Sequence, residues 1–220
     1  MLTNIQIIIW DFDGTLYPQN KAVTVAMEEG QYQTIMRHKR WSHEKAKEAF
    51  WKVYPGQTTS GNTAVGIVCG ITTAQAAVEN EIGFDRLAFF KQNYLSELFS
   101  KLTQYRHFIL GNGVRKNLQN TVDALGLTHC FEEIVTSEIS GENKPDPAGF
   151  LYIMKKTGLK PKEHLMVGDR EVVDLAPAKK VGMQTCLVTW GEGFAELPKS
   201  GTSVDISIST VYDLPDVLNE

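Results

Sequence analysis

The chain has 220 residues, of which 42% are hydrophobic and 22% charged, and a formal net charge of −4. That balance is typical of a globular protein, and without a Lys/Arg cluster it argues against a nucleic-acid partner. No stretch approaches the roughly 18 apolar residues of a membrane helix. Cys69, Cys130 and Cys186 are widely spaced, forming neither a disulfide framework nor a CxxC metal site, and free thiols in a reducing compartment are expected. The N-terminus has no signal-peptide pattern, so a cytoplasmic protein is expected. The length admits one domain with a large insertion, or two domains.

Ile7, Ile8, Ile9 and Trp10 predict a strand buried on both faces of a parallel sheet. Asp11 and Asp13 follow at once, with Gly14 and Thr15. A carboxylate leaving water needs a cation or hydrogen bonds to stay charged. Hard oxygen ligands of this kind suit Mg²⁺. The tetrad by itself fits a solvated turn equally well. From residue 18 to 103 the periodicity is helical, with helices expected over 21–39, 42–54, 72–82 and 85–102 and no strand. Ser42 and Asp85 are N-cap candidates, as are Thr72 or Thr73 for the third helix. Trp41, Phe50, Trp51 and Tyr54 form a stripe that reads as core. Residues 55–63 read as a polar, Gly-rich loop between two helices, placed to reach a neighbouring site and touch substrate.

Strands then alternate with helices. A strand is expected over 107–110, leading into Gly111-Asn112-Gly113 and a helix over 114–125. A second strand over 133–136 precedes a turn carrying Lys144 and a helix over 148–157. A third, over 164–167, runs into Gly168-Asp169-Arg170 and a helix reaching residue 181 despite Pro177. Two more strands are expected over 185–189 and 205–209. This order implies βαβ units: an α/β fold with a doubly wound, Rossmann-like parallel sheet. The core would comprise residues 1–17 and 104–220, with residues 18–103 inserted as a helical cap.

Ligands bind such sheets beyond the carboxyl ends of the strands. Asp11/Asp13, Gly111-Asn112-Gly113, Lys144 and Asp169/Asp174 would meet there. Asp11 is suited to attack phosphorus as a nucleophile, and Asp13 to protonate the leaving alkoxide and then activate water. Mg²⁺ would be held by Asp11, the main-chain oxygen of Asp13 and Asp169, with Asp174 completing the metal site. Lys144 would neutralise the transferring group.

The set DxDGT, the strand-end turn, KPDP and GDxxxxD resembles the haloacid dehalogenase superfamily along the whole chain, and residues 18–103 resemble its C1-type helical cap. Asp11 and Asp13 fall on its first motif, Lys144 on its third, and Asp169 and Asp174 on its fourth. The superfamily's true dehalogenases lack the second aspartate and need no metal, so Asp13 implies a Mg²⁺-dependent phosphatase. TLYP after the first motif, with Tyr54, Gly56, Thr58 and Gly61 in the cap, is similar to the branch that includes pyrimidine 5′-nucleotidases. A small phosphorylated metabolite, such as a nucleoside monophosphate or sugar phosphate, is the expected partner. Phosphate contacts are expected at Gly111, Asn112, Gly113 and Lys144.

The chain departs from the family at the second motif, where Gly111 stands in place of Thr or Ser. Asn112 or a water is expected to take over the missing hydroxyl's role, or else Gly111 is held by backbone conformation or by a close substrate group. An alternative is a catalytically weak protein that binds Mg²⁺ and a phosphorylated ligand or protein partner. A phosphoacceptor signalling domain would also use a strand-end aspartate, but the cap would cover the open site it needs.

Overall fold

A computed structural model describes residues 2–55, 59–90, 94–191 and 203–219. Six parallel strands run in the order β5-β4-β1-β6-β7-β8. They are β1 (Ile7–Trp10), β4 (Arg106–Leu110), β5 (Glu133–Val135), β6 (His164–Gly168), β7 (Gln184–Val188) and β8 (Ile206–Ile208). β1 is central because it can bury both faces. Ile8 and Trp10 pack with Ile109, Leu118 and Leu165, while Ile7 and Ile9 pack on the other side with Phe108, Phe150 and Met166. Trp10 is level with Ile109 and Val167, so the residues that follow β1, β4 and β6 emerge at one edge. Just beyond β1, the two-residue strands β2 (Asp13–Gly14) and β3 (Tyr17–Pro18) pair to form a small flap.

The insertion holds α1 (Lys21–Lys39), α2 (His43–Val53), α3 (Gly61–Cys69) and α4 (Thr73–Asn80), then α5 (Leu95–Ser100) on the core side. Tyr32, Ile35, Ala46, Phe50, Ala64 and Val65 form the cap's own core, so the aromatic stripe is packed as expected. Thr72 caps α4 and Ser42 caps α2 through their side-chain oxygens. Two expectations are corrected. Residues 61–63 open a helix rather than lying in a loop, because Ser60 Oγ accepts the Thr63 amide at 3.1 Å and the apolar run behind it packs on α1. Gly56 and Thr58 of the expected substrate loop lie outside the described residues. Residues 85–102 are not one helix: Asp85 caps a short 3-10 turn, Arg86–Phe89, and α5 starts afresh at Leu95. Phe89 and Phe90 turn inward there to pack on Tyr17 of the flap, which a straight helix would not permit.

The insertion rejoins the sheet at His107. Trp10 Nε1 donates to His107 Nδ1 at 3.2 Å, leaving Nε2–H for the Leu102 carbonyl at 3.1 Å. Burial lowers this imidazole's pKa to about 4, which keeps it neutral in that role. Beyond β4 follow α6 (Arg115–Ala124), α7 (Ser137–Ser140), α8 (Ala148–Thr157), α9 (Ala176–Lys180) and α10 (Leu214–Leu218). Pro177 is accommodated because a π-helical turn, Glu171–Leu175, precedes it and α9 begins one residue earlier, where no donor is required. Among the described residues no helix is long and apolar enough to cross a membrane.

Candidate active site

The Asp11 amide donates to the Val167 carbonyl at 2.9 Å, which fixes the residue as a continuation of β1. Its side chain is almost wholly buried. Lys144 Nζ approaches Oδ1 at 2.6 Å, and Thr15 Oγ1 donates to Oδ2 at 3.2 Å. Lys144 is also buried, and its Nζ lies 2.7 Å from Asp174 Oδ1. Burial disfavours this ammonium, yet the Asp11 and Asp174 carboxylates outweigh that cost and raise its pKa. The turn that carries Lys144 is held in place by a two-way bond with Asn112. Asn112 Nδ2 donates to the Lys144 carbonyl at 3.0 Å, and the Lys144 amide donates to Asn112 Oδ1 at 2.8 Å.

Oxygens of Asp11, Asp169 and Asp174 lie within 4.8 Å of one another, all three residues being buried. Gly14, at φ 97°, brings the flap close; a Cβ there would stand 2.3 Å from Asp169 Oδ2. Asp169 Oδ1 is buried with no hydrogen-bond partner among the described residues. Burial, followed by the neighbouring Asp11 and Asp174 charges, pushes the Asp169 carboxyl well above the usual range. Burial and Asp174 likewise raise Asp11, against the pull of Lys144. Three buried carboxylates, with the Lys144 ammonium and the Arg170 guanidinium among them and one oxygen orphaned, fit a hard divalent cation with oxygen ligands.

Asp13 is held from the far side of the site. Arg86 Nε and Nη2 donate to its two oxygens at 2.8 and 3.0 Å, and Tyr17 OH donates to Oδ1 at 2.5 Å. Burial works against the charge, but Arg86 dominates and lowers the Asp13 pKa. Arg86 in turn pairs with Glu81, whose Oε1 accepts the Val114 amide and whose Oε2 accepts Asn117 Nδ2. A second tie runs from Asn80 through Asn62 to the Asn112 carbonyl, each step 2.8 Å. Sequence reasoning missed Arg86 and Glu81. Each stands in helical sequence without a motif, and only tertiary packing brings it to the site. Asn62 belongs to the 55–63 stretch that was expected to reach the site, and it does so from the start of α3.

Asp11, Asp13, Asn112 and Gly113 line a single cavity of about 140 Å³ beneath the cap. Lys144, Asp169 and Asp174 lie behind Asp11. Gly111 sits lower, its amide already donating to Val135 O at 3.0 Å. Asn112 lines the cavity and gives one side-chain N–H to the Lys144 carbonyl, which leaves its second N–H for the missing hydroxyl's role. One expectation fails here. Gly111 has no left-handed backbone to explain it, because its φ lies outside the positive region. The reason is packing: a Cβ at Gly111 would lie 2.8 Å from Leu118 Cδ1, a methyl buried in the core.

Gly111→Ser is therefore expected to lower stability by about 1–3 kcal/mol, the usual cost of overpacking. Gly111→Ser with Leu118→Val is expected to recover part of that loss, giving a non-additive cycle in urea unfolding. Additive losses would put the cause elsewhere.

The fold and its roofed, acid-rich strand edge define a class, the capped hydrolases built on a Rossmann-like sheet. Residues 8–188 match the family described as haloacid dehalogenase-like hydrolase, and the chain belongs to that family. Among curated relatives, a glyceraldehyde 3-phosphate phosphatase of Methanopyrus kandleri is 36% identical over 97 residues, which span 44% of this chain and 42% of that protein. The protein of the same name from Methanocaldococcus jannaschii is 25% identical over 220 residues, covering 96% of each chain. Among solved structures, a HAD phosphatase from Thermococcus onnurineus superposes with a TM-score of 0.66 at 20% identity, over 97% of this chain and 98% of that one, a likeness of fold.

Proposed function

We propose that the protein hydrolyses a small phosphate monoester, with Mg²⁺ bound and an aspartyl-phosphate formed on Asp11. Its class is phosphoric monoester hydrolase, in keeping with its family and with relatives named as phosphatases. The finer reading rests on one observation above all: Asp11 stands at the end of the central strand, 2.6 Å from a buried lysine and beside two more buried carboxylates. Asp11, Asp169 and the Asp13 main-chain oxygen would hold the cation, and Asp174 would complete the shell. When bound, Mg²⁺ offsets the carboxylate charge and polarises the phosphoryl oxygens.

In the first step an Asp11 oxygen attacks phosphorus and the ester P–O bond breaks. The departing oxygen keeps the electron pair and takes a proton from Asp13, which can carry that proton only in a state where Arg86 no longer bonds both its oxygens. In the second step water attacks the same phosphorus, the P–O bond to Asp11 breaks, and Asp13 takes a proton from the water. Inorganic phosphate and the starting carboxylate result. Lys144 steadies Asp11 through both steps and keeps the buried acids from repelling one another.

The test is turnover of p-nitrophenyl phosphate. Activity should disappear after exhaustive EDTA treatment and return with Mg²⁺, and Ca²⁺ should inhibit because its looser shell disturbs the in-line geometry. Turnover that survives metal removal sinks the metal-dependent reading. A second reading, a slow or purely binding protein, draws on Gly111, which has no hydroxyl and whose amide is taken by Val135. Mg²⁺ binding without turnover would favour it.

A further inference from the structure

Two hydrogen bonds join the start of α3 to the core, and both lead to the turn that carries Lys144. Asn143 Nδ2, one residue before Lys144, donates to Ser60 Oγ at 3.2 Å. Asn62 Nδ2 donates to the Asn112 carbonyl at 2.8 Å, and the Asn112 side chain makes the two-way bond with the Lys144 backbone. Ser60 and Asn62 stand in the middle of the insertion, far along the chain from either crossing to the sheet. Chain connectivity therefore does not bring them here. Seating of the cap does.

The turn depends on such bonds. Residues 141–147 form neither helix nor strand, so no ladder of main-chain bonds fixes them. Their inner main-chain bond runs from the Asp146 amide to the Asn143 carbonyl at 3.0 Å. Yet the Lys144 ammonium has to sit between two carboxylates, 2.6 Å from Asp11 and 2.7 Å from Asp174. The ties from the cap are poorly built for stability alone. Ser60 and Asn143 are both buried, but Asn143 Oδ1 has no partner among the described residues. Asn80 Nδ2 donates to Asn62 Oδ1 at 2.8 Å, and Asn80 Oδ1 is likewise unpaired. A buried acceptor left unmet is costly, so the Asn143 amide adds little to folding. What it supplies is a link from the cap to Lys144.

We propose that Asn143 and Asn62 are positioning residues, through which seating of the cap sets the Lys144 turn and completes the hold on Asp11. With the cap turned away, both ties break and the turn keeps only its bonds within the core. Asn143 is not among the described residues that line the cavity, so its effect on the reaction has to pass through Lys144. Misplacing a catalytic contact by about 1 Å costs on the order of 10²-fold in rate. The proposal rests on the phosphatase reading above and extends it from the reaction to the part the cap plays in it.

Asn143→Ala is the cleanest test. Its main-chain carbonyl still accepts from Asp146, and Ser60 Oγ keeps the Thr63 amide as its donor. With p-nitrophenyl phosphate and saturating Mg²⁺, kcat should fall about 10- to 100-fold while KM stays within about 3-fold. Thermal unfolding should stay near wild type, because an unpaired acceptor leaves with the side chain. Asn62→Ala should lower kcat by a similar factor, and it carries the test alone if Asn143→Ala does not fold. The double variant should lose little more than either single one, since both act through one turn. The ¹⁵N-labelled Lys144 ammonium gives a readout that needs no turnover. Its NMR signal, assigned by its absence from Lys144→Met in Mg²⁺, should shift or broaden in both variants. A raised KM at unchanged kcat in Asn143→Ala overturns the proposal, as does an unmoved Lys144 signal or a double variant whose losses multiply. The ties would then only hold the cap in place. A wild type without turnover whose Lys144 signal still answers to Asn143→Ala sinks the phosphatase reading and leaves this one standing.

Discussion

Asp11→Asn is expected to abolish phosphate release while leaving the fold intact. Losing a nucleophile that works with its partners as a unit costs on the order of 10⁴–10⁶ in kcat. The amide fits the same space: its oxygen can accept from Lys144 Nζ in the place of Oδ1, and its NH2 can donate to the Thr15 hydroxyl, which accepts as readily as it donates. Lys144 keeps a carboxylate partner in Asp174, at 2.7 Å, so no buried cation is left alone. The change also removes one of three crowded negative charges, and stability should hold or rise slightly. Fluorine NMR with BeF₃⁻ provides the second measurement. Wild type should give a bound adduct dependent on Mg²⁺, and Asp11→Asn none. Wild-type rates in Asp11→Asn would remove covalent chemistry from this strand end altogether.

The parts of this site that could be read from the sequence are those where local pattern and site coincide. Asp11 and Asp169 each follow directly on a buried apolar strand, and a parallel sheet brings such strand ends together, so their convergence follows from periodicity and topology. Lys144 could be read only through its neighbours in the KPDP turn, and the reason for its position, a two-way bond to Asn112, is tertiary. Arg86 could not be read at all. It stands among phenylalanines in a segment whose spacing suggested an unbroken helix, and its place follows from Phe89 and Phe90 packing on the flap. The start of α3 was obscured because Gly61-Asn62-Thr63 has loop composition, while its cap, Ser60, is short and polar like its surroundings. Gly111 shows the converse. Its identity is visible in the sequence, but its cause, the Leu118 methyl, lies seven residues away and appears only once α6 folds back on β4.

Lys144→Met is expected to be the most destabilising single change at this site. The ammonium is 2% exposed and is the shared partner of Asp11 and Asp174. Methionine fills much the same volume but leaves the buried carboxylates with only the Arg170 guanidinium as a nearby cation, and breaking such a pair from one side costs about 3–5 kcal/mol. The loss should depend on pH with a definite sign. The Asp11 and Asp169 carboxyls already titrate above their unfolded values, chiefly through burial. In the window between unfolded and folded pKa the native state therefore binds more protons than the unfolded chain, and stability falls as pH rises. Removing Lys144 takes away a charge that lowers both groups, so the fall should become steeper and extend to higher pH. Urea unfolding from pH 5 to 8 without metal should show Lys144→Met close to wild type at the acid end and diverging toward neutrality. Mg²⁺ supplies replacement charge: at 100 times its Kd it should return about 2.7 kcal/mol by mass action, provided it binds only the folded chain. Stability that is insensitive to both pH and Mg²⁺ in Lys144→Met would mean that the three carboxylates are not the coupled, cation-seeking cluster inferred from their distances. Activity should remain low even where Mg²⁺ restores the fold, because Asp11 Oδ1 would lack the donor that holds it at 2.6 Å.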